Sequence, residues 1–211
     1  MSLVSSRKLT LVIIDDEESF RSNIVRFIKS KLTDVRIIEY SSPSHALTNH
    51  FLSQIDFLIV DYRMPEMDGI QFFGEAKIRQ LTIPKLILSG FVAEDKIFEA
   101  LKLGATGYLC KDDIDSFDSI LEILLNGGAF ITPTIACRVV SFFKDLRKNT
   151  AEKKELTEIE AQILKNLSSG FSTIEVAESI GIDDQTFYLH IRNIYKKLEI
   201  NHQHQLLKGK S

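Results

Sequence analysis

Five short apolar runs, each followed by a stretch with helical spacing, constrain this chain more than anything else in it. They are LTLVIID (9–15), VRIIEYS (35–41), FLIVD (57–61), KLILSG (85–90) and GYLCK (107–111). Runs of this length, rich in Val, Ile and Leu and bounded by polar or turn residues, read as buried strands. Between them Phe20, Ile24, Phe27 and Ile28 share one helical face, as do Ile97, Ala100 and Leu101, and then Phe117, Ile120, Leu121 and Leu124. Strands that alternate with helices predict βα units on a five-stranded parallel sheet with helices on both sides, a doubly wound α/β fold. Such a sheet places its ligands at the carboxyl ends of the strands.

The pattern changes after about residue 128. NGGAFITPTIACRVVSFF runs into the charged KDLRKNTAEKKE, which predicts a helix and linker over 131–155. From Leu156 onward only helix signals remain. TEIE (157–160) and STIE (172–175) fit the capping box, and GIDDQT (181–186) supplies a turn glycine followed by aspartates suited to cap a third helix over about 184–198. A separate short helix, HQHQLLK, is expected to close the chain. The expected division is therefore an α/β domain over 1–130, a helical linker over 131–155 and an all-α unit over 156–211. With 211 residues there is ample core for two domains. A net charge of −3 gives no global sign of a polyanion partner. No run is long enough to span a bilayer, no secretory signal opens the chain, and Cys110 and Cys137 lack both a disulfide-rich context and metal-ligand spacing. A reduced, cytoplasmic protein with no membrane partner is the expectation.

The strand ends carry the chemistry. The first strand exits at Asp15-Asp16, the third at Asp61, the fourth at Ser89-Gly90 and the fifth at Lys111. On a parallel sheet these four points share one rim. Three carboxylates there repel one another unless a cation lies between them, and oxygen-only ligands suit a hard ion such as Mg²⁺. A hydroxyl and a lysine beside them supply a donor and a positive charge for phosphoryl oxygens. In DFLIVDYRMPEMDGI (56–70), Pro65 and Gly69 turn the chain sharply beyond Asp61. A lone aspartate at a strand end is more often a turn cap than a nucleophile, but five residues of fitting type at four strand ends point to a site. A phosphohydrolase with an aspartyl nucleophile is the rival, although its usual second aspartate is here Arg63.

This arrangement resembles the receiver domain of two-component response regulators, a flavodoxin-like fold: DD, DYRMPEMDG, SG and GATGYLCKD occur in that family's order and spacing. The resemblance implies that Asp61 is the phosphoacceptor. It also implies that Asp15, Asp16, Asp61 and the backbone carbonyl of Arg63 hold Mg²⁺, that Ser89 and Lys111 attend the phosphoryl group, and that Tyr108 swings with Ser89. Arg63 and Phe91, each two residues past a site residue, would overhang the phosphoryl group.

The segment from Leu156 resembles the LuxR-type helix-turn-helix, with Thr157, Glu160, Gly170, Glu175, Ala177, Thr186, His190, Asn193, Lys197 and Leu198 among the matching residues. With the receiver, it resembles the NarL/FixJ class. That implies a switch and not an enzyme, a cognate histidine kinase, a homodimer on activation and transcription control through DNA. The third helix would enter the major groove. Tyr188, Leu189 and Arg192 would face base edges, while Thr186, His190, Lys196 and Lys197 would lie near the phosphates. Four cations usual in the family are lost, however, at Ile159, Ile174, Tyr188 and Gln203. Across 156–211 six Lys/Arg face seven Asp/Glu, a net −1. Phosphate neutralisation drives much of DNA affinity. Either dimerisation and a few positioned cations suffice, or the unit has become a phospho-switched adaptor that binds a protein.

Overall fold

A computed structural model describes residues 8–48, 54–75, 78, 80–90, 94–112, 117–146 and 154–208. The strands are β1 (Leu9–Ile14), β2 (Val35–Tyr40), β3 (Phe57–Asp61), β4 (Lys85–Ser89) and β5 (Gly107–Cys110), all paired in parallel in the order β2-β1-β3-β4-β5. Each falls inside one of the five apolar runs. The helices around them are α1 (Glu18–Lys31), α2 (Pro43–Thr48), α3 (Gly69–Gly74), α4 (Glu94–Lys102) and α5 (Phe117–Leu125).

The alternation along each strand divides the core between the two sides of the sheet. Leu11, Ile13, Phe57, Ile59, Leu86 and Leu88 pack with Ile24 and Ile28 of α1 and with Phe117, Ile120 and Leu124 of α5. Val12, Ile14, Leu58, Val60 and Ile87 pack on the other side with Phe72, Phe73, Ile97 and Leu101. Full burial of one such side chain contributes about 1.5–3 kcal/mol. β3 and β4 are buried along their whole length, as expected of central strands covered on both faces.

Beyond the sheet come α6 (Pro133–Leu146), α7 (Glu158–Ser168), α8 (Thr173–Ile180) and α9 (Asp184–Lys208). The capping boxes at Thr157/Glu160 and Ser172/Glu175 form in both directions, and Gly181 closes α8 in the left-handed conformation at φ +77°. A third box, Asp68/Gln71, starts α3. One expectation is corrected. The third helix does not stop near 198 to let a separate helix close the chain; α9 runs unbroken to Lys208. No Gly or Pro interrupts it, and Asn201, the weakest helix former in the junction, spends its amide elsewhere. That buried side chain accepts from Lys154 N at 2.8 Å and donates to Lys154 O at 2.9 Å, tying α9 to the segment that leads into α7. The core of this unit (Ile163, Leu167, Phe187, Ile191, Ile194 and Leu198) is continuous with the α3–α4 side of the sheet.

The turn after Asp61 is as tight as its sequence suggests. Gly69 N donates to Tyr62 O at 2.9 Å, and a Cβ on Gly69 would lie 2.5 Å from the main-chain oxygen of Asp61. Gly69→Ala is therefore expected to lose about 1–3 kcal/mol of stability in urea unfolding, because backbone must move to relieve the clash.

Candidate functional site

Parallel register sets the rim. Ile14 pairs with Val60, Asp61 with Leu88 and Ser89 with Cys110, so β1, β3, β4 and β5 end side by side. Asp15 leaves β1 with its backbone N–H bonded to Tyr40 O, and it is fully buried. One Asp15 oxygen accepts from Glu17 N at 2.9 Å; the other faces Lys111 Nζ at 2.8 Å. Lys111 also reaches Asp61 Oδ1 at 3.1 Å. Asp16 is exposed, and one carboxylate oxygen from each of Asp15, Asp16 and Asp61 lies within 4.8 Å of the others. Hard oxygen donors at this spacing, one of them open to solvent, fit a divalent cation that keeps part of its water shell. Ser89 is buried beside them at the end of β4. Arg63, on the turn, is exposed, and Phe91 lies outside the described residues.

The electrostatics are those of a crowded carboxylate. Burial raises Asp61 to a pKa of about 6; Lys111 pulls it down, and Asp15 and Asp16 push it back up. Burial lowers Lys111, but the hydrogen bond to Asp15 and the charges of both carboxylates outweigh it, and the net direction is upward. Two neighbours were not foreseen. Arg21 Nη1 donates to the main-chain oxygen of Asp15 at 2.6 Å, fixing the turn that carries the acidic pair. The ring of Phe20 lies 4.5 Å from Lys111 Nζ. In the sequence Phe20 is simply one member of an apolar helical face.

The residues expected on DNA divide into two sets. Tyr188, Arg192, Tyr195 and Glu199 lie on one stripe of α9, and that stripe rests on the α/β domain. Ala129 N donates to Tyr188 O at 3.1 Å. Arg192 donates to Gly127 O at 2.8 Å and to Thr82 O at 3.3 Å, and Tyr195 Oη donates to Phe130 O at 2.9 Å. Tyr188 and Arg192 are thus placed on protein in this conformation and not toward a groove. The seat is cut from glycines: a Cβ on Gly128 would meet Tyr188 Cβ at 2.7 Å, and one on Gly127 would meet Arg192 Nη1 at 3.1 Å. Over Gly104 lie both Lys85 Nζ and the Glu199 carboxylate, at 2.8 and 3.1 Å from where its Cβ would be. Among the other expected contacts, Leu189 and Lys196 are exposed and His190 is half-buried. Thr186 donates its N–H and its hydroxyl to Asp183, which caps α9. Lys197 is not a free cation, since it pairs with the buried Glu160 at 2.6 Å.

Tyr108 joins the two regions. It lies on β5 two residues before Cys110, and its ring packs edge-on against Phe130 at 6.4 Å between centroids. Burial drives the Tyr195 hydroxyl well above its ordinary pKa, and the nearby Tyr108 adds to that.

Known proteins share this architecture. Residues 11–122 match the response regulator receiver domain, and residues 154–208 match the bacterial regulatory proteins of the luxR family. The transcriptional regulatory protein DegU of Brevibacillus brevis is 25% identical over 218 residues, covering 96% of this chain and 92% of that protein. The transcriptional regulatory protein LiaR of Bacillus subtilis is 27% identical over 200 residues, covering 93% and 94%. The response regulator RcsB of Salmonella typhimurium superposes with a TM-score of 0.53 at 19% identity, covering 94% of this chain and 98% of its own, which is a likeness of fold.

Two outcomes follow from the geometry. The Asp61 pKa of about 6 exceeds its value of about 3.9 in an unfolded chain. Stability contributed by its protonated form is therefore complete below pH 4 and lost as pH rises through 6. Metal-free protein should lose roughly 2–3 kcal/mol of unfolding free energy across that window, and Asp61→Asn should flatten the slope. Gly128→Ala should wedge Tyr188 off its seat, raising the radius of gyration measured by small-angle scattering while α/β helicity stays intact.

Proposed function

The chain belongs to the response regulators, joining a receiver domain to a LuxR-family DNA-binding unit, and from that premise we propose that it is a phosphorylation-operated transcription switch. On this reading the receiver occupies 1–130, the helical linker 131–155 and the helix-turn-helix 156–211. The observation that carries it is the cluster of Asp15, Asp16 and Asp61 beside Lys111 on one rim of a parallel sheet.

A cognate histidine kinase, or a small phosphodonor, is the source of the phosphoryl group. An Asp61 carboxylate oxygen attacks phosphorus in line with the leaving group, and the donor departs with the bonding electrons. Mg²⁺, when bound by Asp15, Asp16, Asp61 and the Arg63 carbonyl, neutralises charge on the phosphoryl oxygens. Lys111 exchanges part of its contact with Asp61 for a phosphoryl oxygen, and the Ser89 hydroxyl donates to another. Tyr108 then follows Ser89 away from Phe130 and Tyr195. The seat under α9 loosens, Tyr188 and Arg192 become free, and two copies join on DNA as a homodimer. Among the described residues no helix is long and apolar enough to cross a membrane, and the proposed setting is the cytoplasm.

One observation favours a second reading, in which the C-terminal unit docks on a protein. Ile159, Phe171 and Ile174 are exposed large apolar side chains, two of them at positions where the family resemblance implies cations. A single set of measurements separates the readings. Asp16→Ala should lose Mg²⁺ binding and phosphoryl uptake together; unchanged uptake would sink the site. Phosphorylated protein should select a sequence from random duplexes in a gel shift, and unphosphorylated protein should not. Selection by neither form, with phosphorylation intact, would move the output to a protein partner.

A further inference from the structure

We propose that Phe20 is a positioning residue for phosphoryl transfer, its ring holding the Lys111 ammonium at the mouth of the acidic site. The proposal rests on the reading of Asp61 as phosphoacceptor and goes beyond it. Among the described residues Lys111 Nζ meets Asp15 at 2.8 Å, Asp61 at 3.1 Å and the centroid of the Phe20 ring at 4.5 Å. The ammonium is therefore caged between two carboxylates and one aromatic face, with its side chain 13% exposed.

The three neighbours differ in one respect that matters. Asp15 and Asp61 are also the ligands that would turn toward a divalent cation, and such an ion weakens their hold on Lys111. The ring has no part in that competition. A lysine has a long, flexible stem with considerable rotamer freedom. Without a third partner it is free to swing into solvent at the stage when its charge is needed on the incoming phosphoryl oxygens. A cation over an aromatic face within about 6 Å gains attraction that strengthens when both are partly removed from water. Phe20 is half-buried in the first turn of α1, four residues beyond Asp16, and packs on the core formed by α1 and α5. Arg21, beside it, fixes the Asp15 turn through the main-chain oxygen. The same helical turn therefore orients an acidic ligand with one residue and the lysine with the next.

The test uses the full chain with three substitutions, Phe20→Leu, Phe20→Tyr and Asp61→Asn. Phosphoryl uptake from acetyl phosphate with Mg²⁺ is followed by intact mass, and the Lys111 ε-methylene protons are followed by NMR of lysine-labelled protein without phosphodonor. An aromatic face shifts protons above it upfield, so wild type and Phe20→Tyr should show a displaced Lys111 resonance, and Phe20→Leu should show an ordinary one. Uptake should slow roughly three- to tenfold in Phe20→Leu and return to within about twofold of wild type in Phe20→Tyr. Leucine preserves the apolar packing, so a merely structural role would leave uptake unchanged, while the resonance reports whether the ring lies over Lys111. An unshifted Lys111 resonance in wild type, or equal uptake by wild type and Phe20→Leu, overturns the proposal. If wild type takes up no more than Asp61→Asn, the phosphoacceptor reading itself falls, and the proposal falls with it.

Discussion

Repulsion among three carboxylates on one sheet rim is the constraint to which the rest of the receiver responds. Unit charges 4 Å apart interact by about 4 kcal/mol at the effective dielectric of a protein surface. Asp15 and Asp61 are buried, so solvent relieves little of that. Burial of its charge is the main reason the Asp61 pKa is raised, and the charges of Asp15 and Asp16 add to it. Lys111 offsets part of it by standing between the two acids, and the backbone N–H of Glu17 takes up a further oxygen of Asp15. A site held in this state favours whatever adds positive charge to it. On the proposed function, a divalent cation would relieve a cost already present in the folded chain.

The path from that rim to the C-terminal helix is short. Ser89 and Tyr108 lie on adjacent strands, with Ile87 opposite Tyr108 and Ser89 opposite Cys110. Tyr108 touches Phe130, whose carbonyl accepts from Tyr195 of α9. Ala129 and Gly127, immediately before Phe130, hold Tyr188 and Arg192. One four-residue segment of the receiver therefore carries three main-chain contacts to the helix, and Tyr108 supports its last residue. On the proposed function a side-chain movement at the phosphorylated end has no long route to travel, and a discrete rearrangement of one ring is enough to bias two packed states.

Much of this was legible in the sequence. The strands stand inside the apolar runs because central parallel strands must be apolar on both faces, and that leaves an unambiguous mark. The caps at Thr157, Ser172 and Asp183 form as read because capping is local, settled within four residues. The acidic rim was readable because topology puts strand ends together. What could not be read depends on partners distant in sequence. Lys85 opens an apolar strand and is buried, and its ammonium and the Glu199 carboxylate both lie over Gly104, an approach that only docking creates. The Gly127-Gly128 pair reads as a turn and gives no hint that its small size seats Tyr188 and Arg192. Lys197 reads as a cation for phosphates until Glu160, also a capping residue, is found to hold it. Phe20 reads as core because its periodicity is that of a core residue, and only the path of Lys111 places a charge over its ring.

On the proposed function, the pairing of Arg192 explains how a net-acidic helix-turn-helix is compatible with tight control. In the closed chain its guanidinium meets two carbonyl oxygens, of Gly127 and Thr82. A guanine edge offers the same kind of partner, two acceptors matched to a planar donor. Exchange of one for the other is close to neutral in hydrogen bonding, so closure need only outweigh opening by a small margin. A margin of about 2 kcal/mol leaves a few per cent of the chain open and weakens apparent DNA affinity roughly thirtyfold. DNA itself could overcome that margin by mass action if the unit bound phosphates strongly, since a ligand for the open form pulls the equilibrium toward it. With six basic residues against seven acidic ones over 156–211, and Lys197 committed to Glu160, that phosphate-driven attraction is small. On the proposed function the missing cations then keep DNA from opening the chain by itself, which leaves the decision to the acidic site.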